Sequence, residues 1–258
     1  MKALIIAAGR GERLRPITDR NPKPLIPILD LRLIERVILS AKEAGIKEFV
    51  IVTGYLGGKL RMFLRDGSRY GVKVEYVRSR FWRFGNGFSA YEAHKFFEDK
   101  FLILMSDHIF DSDIIKGLLK QELDDDECIL CVDTSMENVM DIEDATKVLV
   151  EDGRVRNIGK ELRDYNGVDM GIFLCSPAIF DCLKRAVDEG NYALSDGVRL
   201  LANEGKMKAY CVNGKDTFWM DIDTLENLKA AEKILSSIKV PTIRVEAILE
   251  KGEESWRK

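Results

Sequence analysis

The sequence predicts an α/β fold, with helices on both faces of a mainly parallel sheet and a small antiparallel β insertion on one side. Short apolar runs of four to six residues alternate with stretches of helical period through the first half of the chain. Several of those runs, such as Phe49-Val50-Ile51-Val52, are apolar at every position. Strands covered on both faces read this way, because neither side meets water. In the second half, Asp152-Gly153-Arg154 separates two alternating segments and marks a hairpin.

The chain opens with a strand over Ala3–Ala7 that breaks into Ala8-Gly9-Arg10-Gly11. Leu33, Ile34, Val37, Ile38 and Ala41 then recur at helical spacing, and Gly45 stops that helix near Ala44. A strand over Glu48–Thr53, a helix over Gly58–Arg65 and a strand over Val72–Val77 follow. The segment Phe81–Phe88 is aromatic, basic and glycine-containing, and leads into a helix over Ser89–Phe97. The strand Phe101–Met105 ends abruptly in Ser106-Asp107-His108, before a helix over Asp111–Lys120 and a strand over Cys128–Val132. This rhythm implies right-handed crossovers onto one sheet, a Rossmann-like sandwich. The hairpin pairs Lys147–Glu151 with Val155–Ile158. After it come a strand over Asp169–Leu174, helices over Pro177–Val187 and Leu194–Ala202, strands over Met207–Val212 and Thr217–Met220, and a helix over Thr224–Ser236. One domain over residues 1–238 is expected, with 1–133 mainly binding a nucleotide, 134–238 mainly binding its acceptor, and 239–258 a tail.

Composition narrows the partners. A net charge of −3 and a pI near 5.7 give no overall electrostatic reason to expect nucleic acid or an anionic membrane. No run approaches the roughly 18 apolar residues of a membrane span, and no cleavable signal pattern precedes the first strand. A cytoplasmic protein without membrane insertion is the expectation. The five cysteines lie mostly in apolar runs; Cys128 and Cys131 have half a zinc-knuckle spacing with no second pair, so reduced, buried thiols are expected. Charged residues reach 32% while Gln121 is the only glutamine, a bias typical of proteins from hot habitats.

Glycines after a buried strand let backbone N–H groups approach an anion closely, and nearby arginines and a lysine supply countercharge. Gly9-x-Gly11 lacks the third glycine of a dinucleotide fingerprint, and Pro16, Pro22, Pro24 and Pro27 prevent a long helix from starting there. A phosphate-binding loop closed by Gly-Lys-Ser/Thr is also absent. Asp107, at the end of a buried strand, stands where open α/β sheets bind ligands and is a candidate metal ligand; Asp111 is better placed to cap the following helix. Asp221 and Asp223 are two apart in an extended segment, so both carboxylates can face one side, although Asp223 could instead cap the helix with Glu226.

Ala7-Ala8-Gly9-x-Gly11-x-Arg13, followed by Asn21-Pro22-Lys23-Pro24-Leu25, resembles the signature of the nucleotidyltransferases that join an NTP to a phosphorylated alcohol or sugar. The resemblance continues through Gly85-Asn86-Gly87, Asp107 and Trp219-Met220-Asp221-Ile222-Asp223-Thr224, nearly the whole chain in order. It implies the nucleotidyltransferase fold, a Mg²⁺ cofactor and release of pyrophosphate. By the same resemblance, Ala7, Ala8, Gly9, Arg10, Gly11, Arg13, Gly85, Asn86 and Gly87 hold the nucleotide. Lys23 neutralises the α-phosphate, Arg13 meets the β- and γ-phosphates, and Asp107 completes the catalytic set. His108, Lys160 and Asp169 face the acceptor, and Asp107 with Asp221 or Asp223 binds the metal. Within that family, Gly85-Asn86-Gly87-x-Ser89 and Phe101–Phe110 look most like the CTP:inositol-1-phosphate cytidylyltransferases. That implies CTP and inositol-1-phosphate as substrates, CDP-inositol as product for inositol-phosphate solutes, and a separate membrane-bound synthase as the product's consumer. Sugar-1-phosphate nucleotidylyltransferases, phosphocholine cytidylyltransferases and a non-catalytic nucleotide-binding regulator are the rival readings; choline would need a cage from Phe81, Trp82, Phe84 and Trp219. Whether the chain forms a homodimer is left open by the sequence.

Overall fold

A computed structural model describes residues 1–137, 139–213 and 217–237. The expected tail over 239–258 lies outside the described residues. In chain order the strands are β1 (Lys2–Ala7), β2 (Pro27–Ile28), β3 (Leu31–Arg32), β4 (Glu48–Thr53), β5 (Lys73–Arg78), β6 (Phe101–Met105), β7 (His108–Phe110), β8 (Cys128–Asp133), β9 (Lys147–Glu151), β10 (Arg154–Gly159), β11 (Gly167–Cys175), β12 (Met207–Val212) and β13 (Trp219–Asp221). The helices are α1 (Leu33–Glu43), α2 (Gly57–Leu64), α3 (Asn86–Tyr91), α4 (Ser112–Leu118), α5 (Ala178–Asp188), α6 (Leu194–Asn203) and α7 (Leu225–Ser237).

One sheet has the order β5-β4-β1-β6-β11-β8-β12-β10-β9. From β5 to β12 every strand runs the same way except β11, which is antiparallel to both β6 and β8. The β9–β10 hairpin extends this sheet, β10 meeting β12 at Arg154 and Lys208 and β9 meeting β11 at Val148 and Gly167. Apolar runs make both faces of the sheet core. Along β1, Ala3, Ile5 and Ala7 face the layer with α1 and α4, while Leu4 and Ile6 face α3, α5 and α6. Alternate residues of a strand point to opposite faces, so a strand without polar residues must be covered twice.

Local chemistry sets the helix ends. The Glu35 carboxylate accepts a hydrogen bond from the Arg32 N–H at 2.9 Å at the start of α1, and Gly45 follows that helix with φ 101°. The helix expected over Ser89–Phe97 begins earlier, at Asn86, and breaks after Tyr91 into a 3₁₀ turn over His94–Phe96. Asp111 stands at the start of α4, but its carboxylate accepts from the Phe218 N–H at 2.9 Å instead of capping the helix. Among the described residues no helix is long and apolar enough to cross a membrane. The cysteines are free thiols, buried except for Cys211.

A third apolar cluster positions the site. Leu14, Ile26, Ile28 and Leu33 pack with Ile109, Met220, Ile222, Ala231 and Leu235, fastening the N-terminal loop to β7, β13 and α7. Residues more than 200 positions apart in sequence thereby meet at the end of β1.

Candidate active site

Lys23 is the residue from which the site is built. It sits in a 3₁₀ turn, Lys23–Leu25, whose flanking Pro22 and Pro24 fix the backbone. Only 5% of it is exposed. Gly11 makes room for it: φ is 67° there, and a Cβ added at Gly11 would lie 2.8 Å from Lys23 Cβ. One glycine therefore supplies both a left-handed turn and the space for the lysine stem.

The Lys23 ammonium donates to Asp107 at 2.5 Å and to Asp223, and lies 3.9 Å from Asp221. The small antiparallel pair β7–β13 brings those carboxylates together, since Asp221 is in register with His108. The Ile222 N–H also donates to the Asp107 carbonyl at 3.1 Å. Ile222 is fully buried, so its neighbours Asp221 and Asp223 both turn toward the lysine. The cap expected of Asp223 falls one residue later. Thr224 Oγ1 accepts from the Asn227 N–H at 3.1 Å, and Asn227 Oδ1 accepts from the Thr224 N–H at 3.0 Å. Asp223 is thus left for Lys23 and Arg13.

The electrostatics follow from burial and charge. Burial alone would push the Lys23 ammonium down, but Asp107, Asp221 and Asp223 outweigh it and hold the pKa above the usual lysine range. Burial raises the Asp221 carboxyl even though His108 and Lys23 pull it down. Asp223 goes the other way; burial opposes its ionisation, but Lys23 and Arg13 help hold it below the usual carboxylate range. His108 lies 3.5 Å from Asp221. Its burial disfavours the charged ring, but Asp221, Asp107 and Asp169 push its pKa up to about 9. Burial lifts Asp169 to about 6, against the hydrogen bond of 2.7 Å that it accepts from the Gly171 N–H.

Asp107 Oδ1 is buried without a hydrogen-bond partner, and Asp221 Oδ1 has only His108 at 3.5 Å and Lys23 at 3.9 Å beside it. A carboxylate oxygen in that state is costly unless a cation or donor reaches it. Ligand atoms of Asp107, His108 and Asp221 lie within 4.8 Å of one another, so this cluster could hold a divalent ion.

Two cavities, each about 360 Å³, share Asn86, and this cluster lines one of them. Ala8, Gly9, Arg10, Trp82 and Gly85 line the first. Arg13, Asp107, His108, Lys160, Asp169, Asp221 and Asp223 line the second, which thus draws on both sides of residue 133. Ala7 is buried in the core below. Arg10 stands over the Tyr55 ring, 3.5 Å from both Glu12 and Asp19. A Cβ on Gly85 would come within 2.3 Å of the Tyr192 carbonyl, and one on Gly87 within 2.5 Å of Ala193 backbone. Gly87 also donates its N–H to Tyr192. The two glycines let this loop lie against α6, and Asn86 accepts from the Leu194 N–H at 2.8 Å.

Sequence reasoning did not find Asp144. Its carboxylate bridges Arg13 and Lys160, accepting from Lys160 at 2.7 Å, and so joins two cations assigned to different substrates. It lies in Asp141-Ile142-Glu143-Asp144, which has no spacing that separates a ligand from a solvated turn. The four aromatic residues considered for a choline cage do not converge. Trp82 lines the first cavity and Trp219 the second, where its indole N–H donates to buried Asp133 at 2.8 Å. Phe81 and Phe84 line neither.

Comparison with known proteins adds three findings. The sequence profile of a family described as nucleotidyl transferase matches residues 2–237. The chain is 31% identical over 236 residues to a protein of Aquifex aeolicus and 33% identical over 240 residues to one of Archaeoglobus fulgidus, each named "Bifunctional IPC transferase and DIPP synthase". These alignments cover 90% and 93% of this chain but 51% and 45% of the relatives, so the chain spans about half their length. Its fold matches a solved inositol-1-phosphate CTP transferase from T. maritima with a TM-score of 0.80 and 25% identity, covering 93% of this chain and 96% of that one.

Proposed function

This chain belongs to the nucleotidyl transferase family, and on that premise we propose that it moves CMP from CTP to inositol-1-phosphate, giving CDP-inositol and pyrophosphate. The observation that carries the reading is a pair of cavities meeting at Asn86, one lined by the glycine-bearing loops and the other by Asp107, Asp221 and Asp223, which surround buried Lys23. The likeness to a CTP-dependent transferase over nearly the whole chain supports the choice of substrates.

In this reading the first cavity takes the nucleotide. Backbone groups of Ala8 and Gly9 and the edge of Gly85–Asn86 face the base and ribose. Nothing lies within 4 Å of a Cβ built on Gly9, so no packing in the chain itself accounts for that glycine. The second cavity takes the acceptor, with Lys160 on its phosphate and Asp169 accepting hydrogen bonds from its hydroxyls. An acceptor phosphate is already ionised at neutral pH, so its oxygen attacks the α-phosphorus without a general base. The bond to pyrophosphate breaks in line. Catalysis is then positioning and charge neutralisation.

Lys23 neutralises the charge that builds on the α-phosphate, its pKa ensuring that it remains an ammonium. Arg13 holds the leaving pyrophosphate. Asp107, with an unpartnered buried oxygen, and the neighbouring Asp221 are suited to hold Mg²⁺. When bound, Mg²⁺ would screen phosphate charge and align the transferred group.

The test is a panel of acceptors with CTP and Mg²⁺, read as pyrophosphate release. Release that depends on inositol-1-phosphate is expected. Equal or faster turnover with hexose-1-phosphates or phosphocholine would move the acceptor assignment, and silence with every NTP would favour a regulator.

A further inference from the structure

The loop between β5 and α3 carries residues that the proposed chemistry leaves unused. Phe81 is 57% exposed and Phe84 52%, which is unusual for adjacent large apolar side chains. Arg78 and Arg80 are exposed on either side of Ser79. Among the described residues neither guanidinium has a hydrogen bond or an ion-pair partner. None of these four residues lines either cavity, whereas the intervening Trp82 and Arg83 line the nucleotide side. A chain of net charge −3 thus presents one small surface that is both cationic and aromatic.

We propose that this surface docks the protein reversibly onto anionic lipid. Phe81 and Phe84 enter the boundary between headgroups and acyl chains, and Arg78 and Arg80 meet lipid phosphates. Basic residues interleaved with aromatics favour that boundary, because rings gain from leaving water while guanidinium groups stay at the charged plane. Two features of the patch weigh against other occupants. Phe84 is stacked on both sides, by Phe81 at 5.7 Å and by Tyr192 at 4.8 Å, so only the outer face of Phe81 is open to a nucleic-acid base, short of the successive platforms a single strand uses. A second copy related by a two-fold axis through the patch would bring its unpaired arginines close to those of the first, which is repulsive. The inference is independent of which nucleotide or acceptor the enzyme uses. It places the nucleotide cavity, through Trp82 and Arg83, beside the lipid surface.

Co-sedimentation of the full chain with vesicles at low salt tests the proposal. Sedimentation is expected with phosphatidylglycerol vesicles and not with phosphatidylcholine. Arg80→Ser should lower the partition about fivefold and Phe81→Ser at least about tenfold, both variants keeping CTP-dependent pyrophosphate release. That retained activity shows folding, and if Phe81→Ser fails to fold, Arg80→Ser alone decides. Binding that is absent, equal on the two lipids, or unchanged by Arg80→Ser would overturn the proposal. So would binding of single-stranded RNA lost in the same variants while vesicles are ignored, which would make the patch a nucleic-acid surface.

Discussion

Two buried ion clusters in this protein both pair carboxylates with cations and end in different states. Glu127, buried just before β8, accepts from Arg154 at 3.0 Å, from Lys208 and from the Asp124 N–H at 3.4 Å. Each of its oxygens has a donor, and although burial opposes ionisation, its two cations hold it below the usual carboxylate range. Around Lys23 three carboxylates share one ammonium, with Arg13 on Asp223 and His108 beside Asp221, yet Asp107 Oδ1 has no hydrogen-bond partner and the Asp221 carboxyl is pushed up. The first cluster is complete in itself and stabilises the fold. The second leaves a buried carboxylate oxygen without a donor and is held together by the apolar cluster behind it, which suits it to a cation arriving from outside.

That contrast can be broken by mutation, and the largest effect is expected at Asp107. Asp107→Ala should lower turnover about a thousandfold or more, while thermal melting stays unchanged or rises, because a buried like charge has been removed. A lowered melting temperature with near-normal turnover would make the cluster structural. Lys23→Met should cost about 10²–10³ in kcat and, unlike Asp107→Ala, should destabilise the fold by roughly 3 kcal/mol, since Asp107 loses its counterion and Asp221 and Asp223 each lose one of two. Chemical denaturation of the two variants side by side reads this opposite sign.

Glu127→Gln should reverse the pattern, with turnover unchanged and stability reduced by roughly 1–2 kcal/mol at pH 7. Its pH dependence has a fixed sign. The folded pKa of Glu127 is depressed, so its stabilisation is fully present above the ordinary value of about 4.3 and is lost as pH falls through the lower folded value. The stability gap between wild type and Glu127→Gln should therefore be constant from pH 7 to 5 and close below about 4; a gap that widened in acid would refute the paired state. The smallest effect is expected at Asp144. An anion shared by Arg13 and Lys160 competes with substrate phosphates, so Asp144→Asn should lower KM for nucleotide or acceptor about two- to fivefold with little change in kcat.

Much of the fold was legible because local apolar runs carry it. Glu48–Thr53, Phe101–Met105 and Met207–Val212 are strands with the expected bounds, each a run that turn or charged residues interrupt. The direction of β11 was not legible, since antiparallel and parallel buried strands look alike in composition. Nor was β7, three residues long and paired with β13 across more than 100 positions. The site shows the same division. Lys23, Asp107, Asp221 and Asp223 were found by motif and meet around one ammonium. What decides their roles is finer than motif: a cap shifted from Asp223 to Thr224, a carboxylate drawn from Asp111 to Phe218, and Asp144 reaching two cations from an acidic turn.

The most direct test of the contrast is the Mg²⁺ dependence of pyrophosphate release from CTP and inositol-1-phosphate, measured for wild type, Asp221→Asn and Glu127→Gln. Glu127→Gln should superimpose on wild type, and Asp221→Asn should raise the half-saturating Mg²⁺ concentration at least about tenfold. If Asp221→Asn instead followed the wild-type curve, the acidic cluster around Lys23 would not be the cation site.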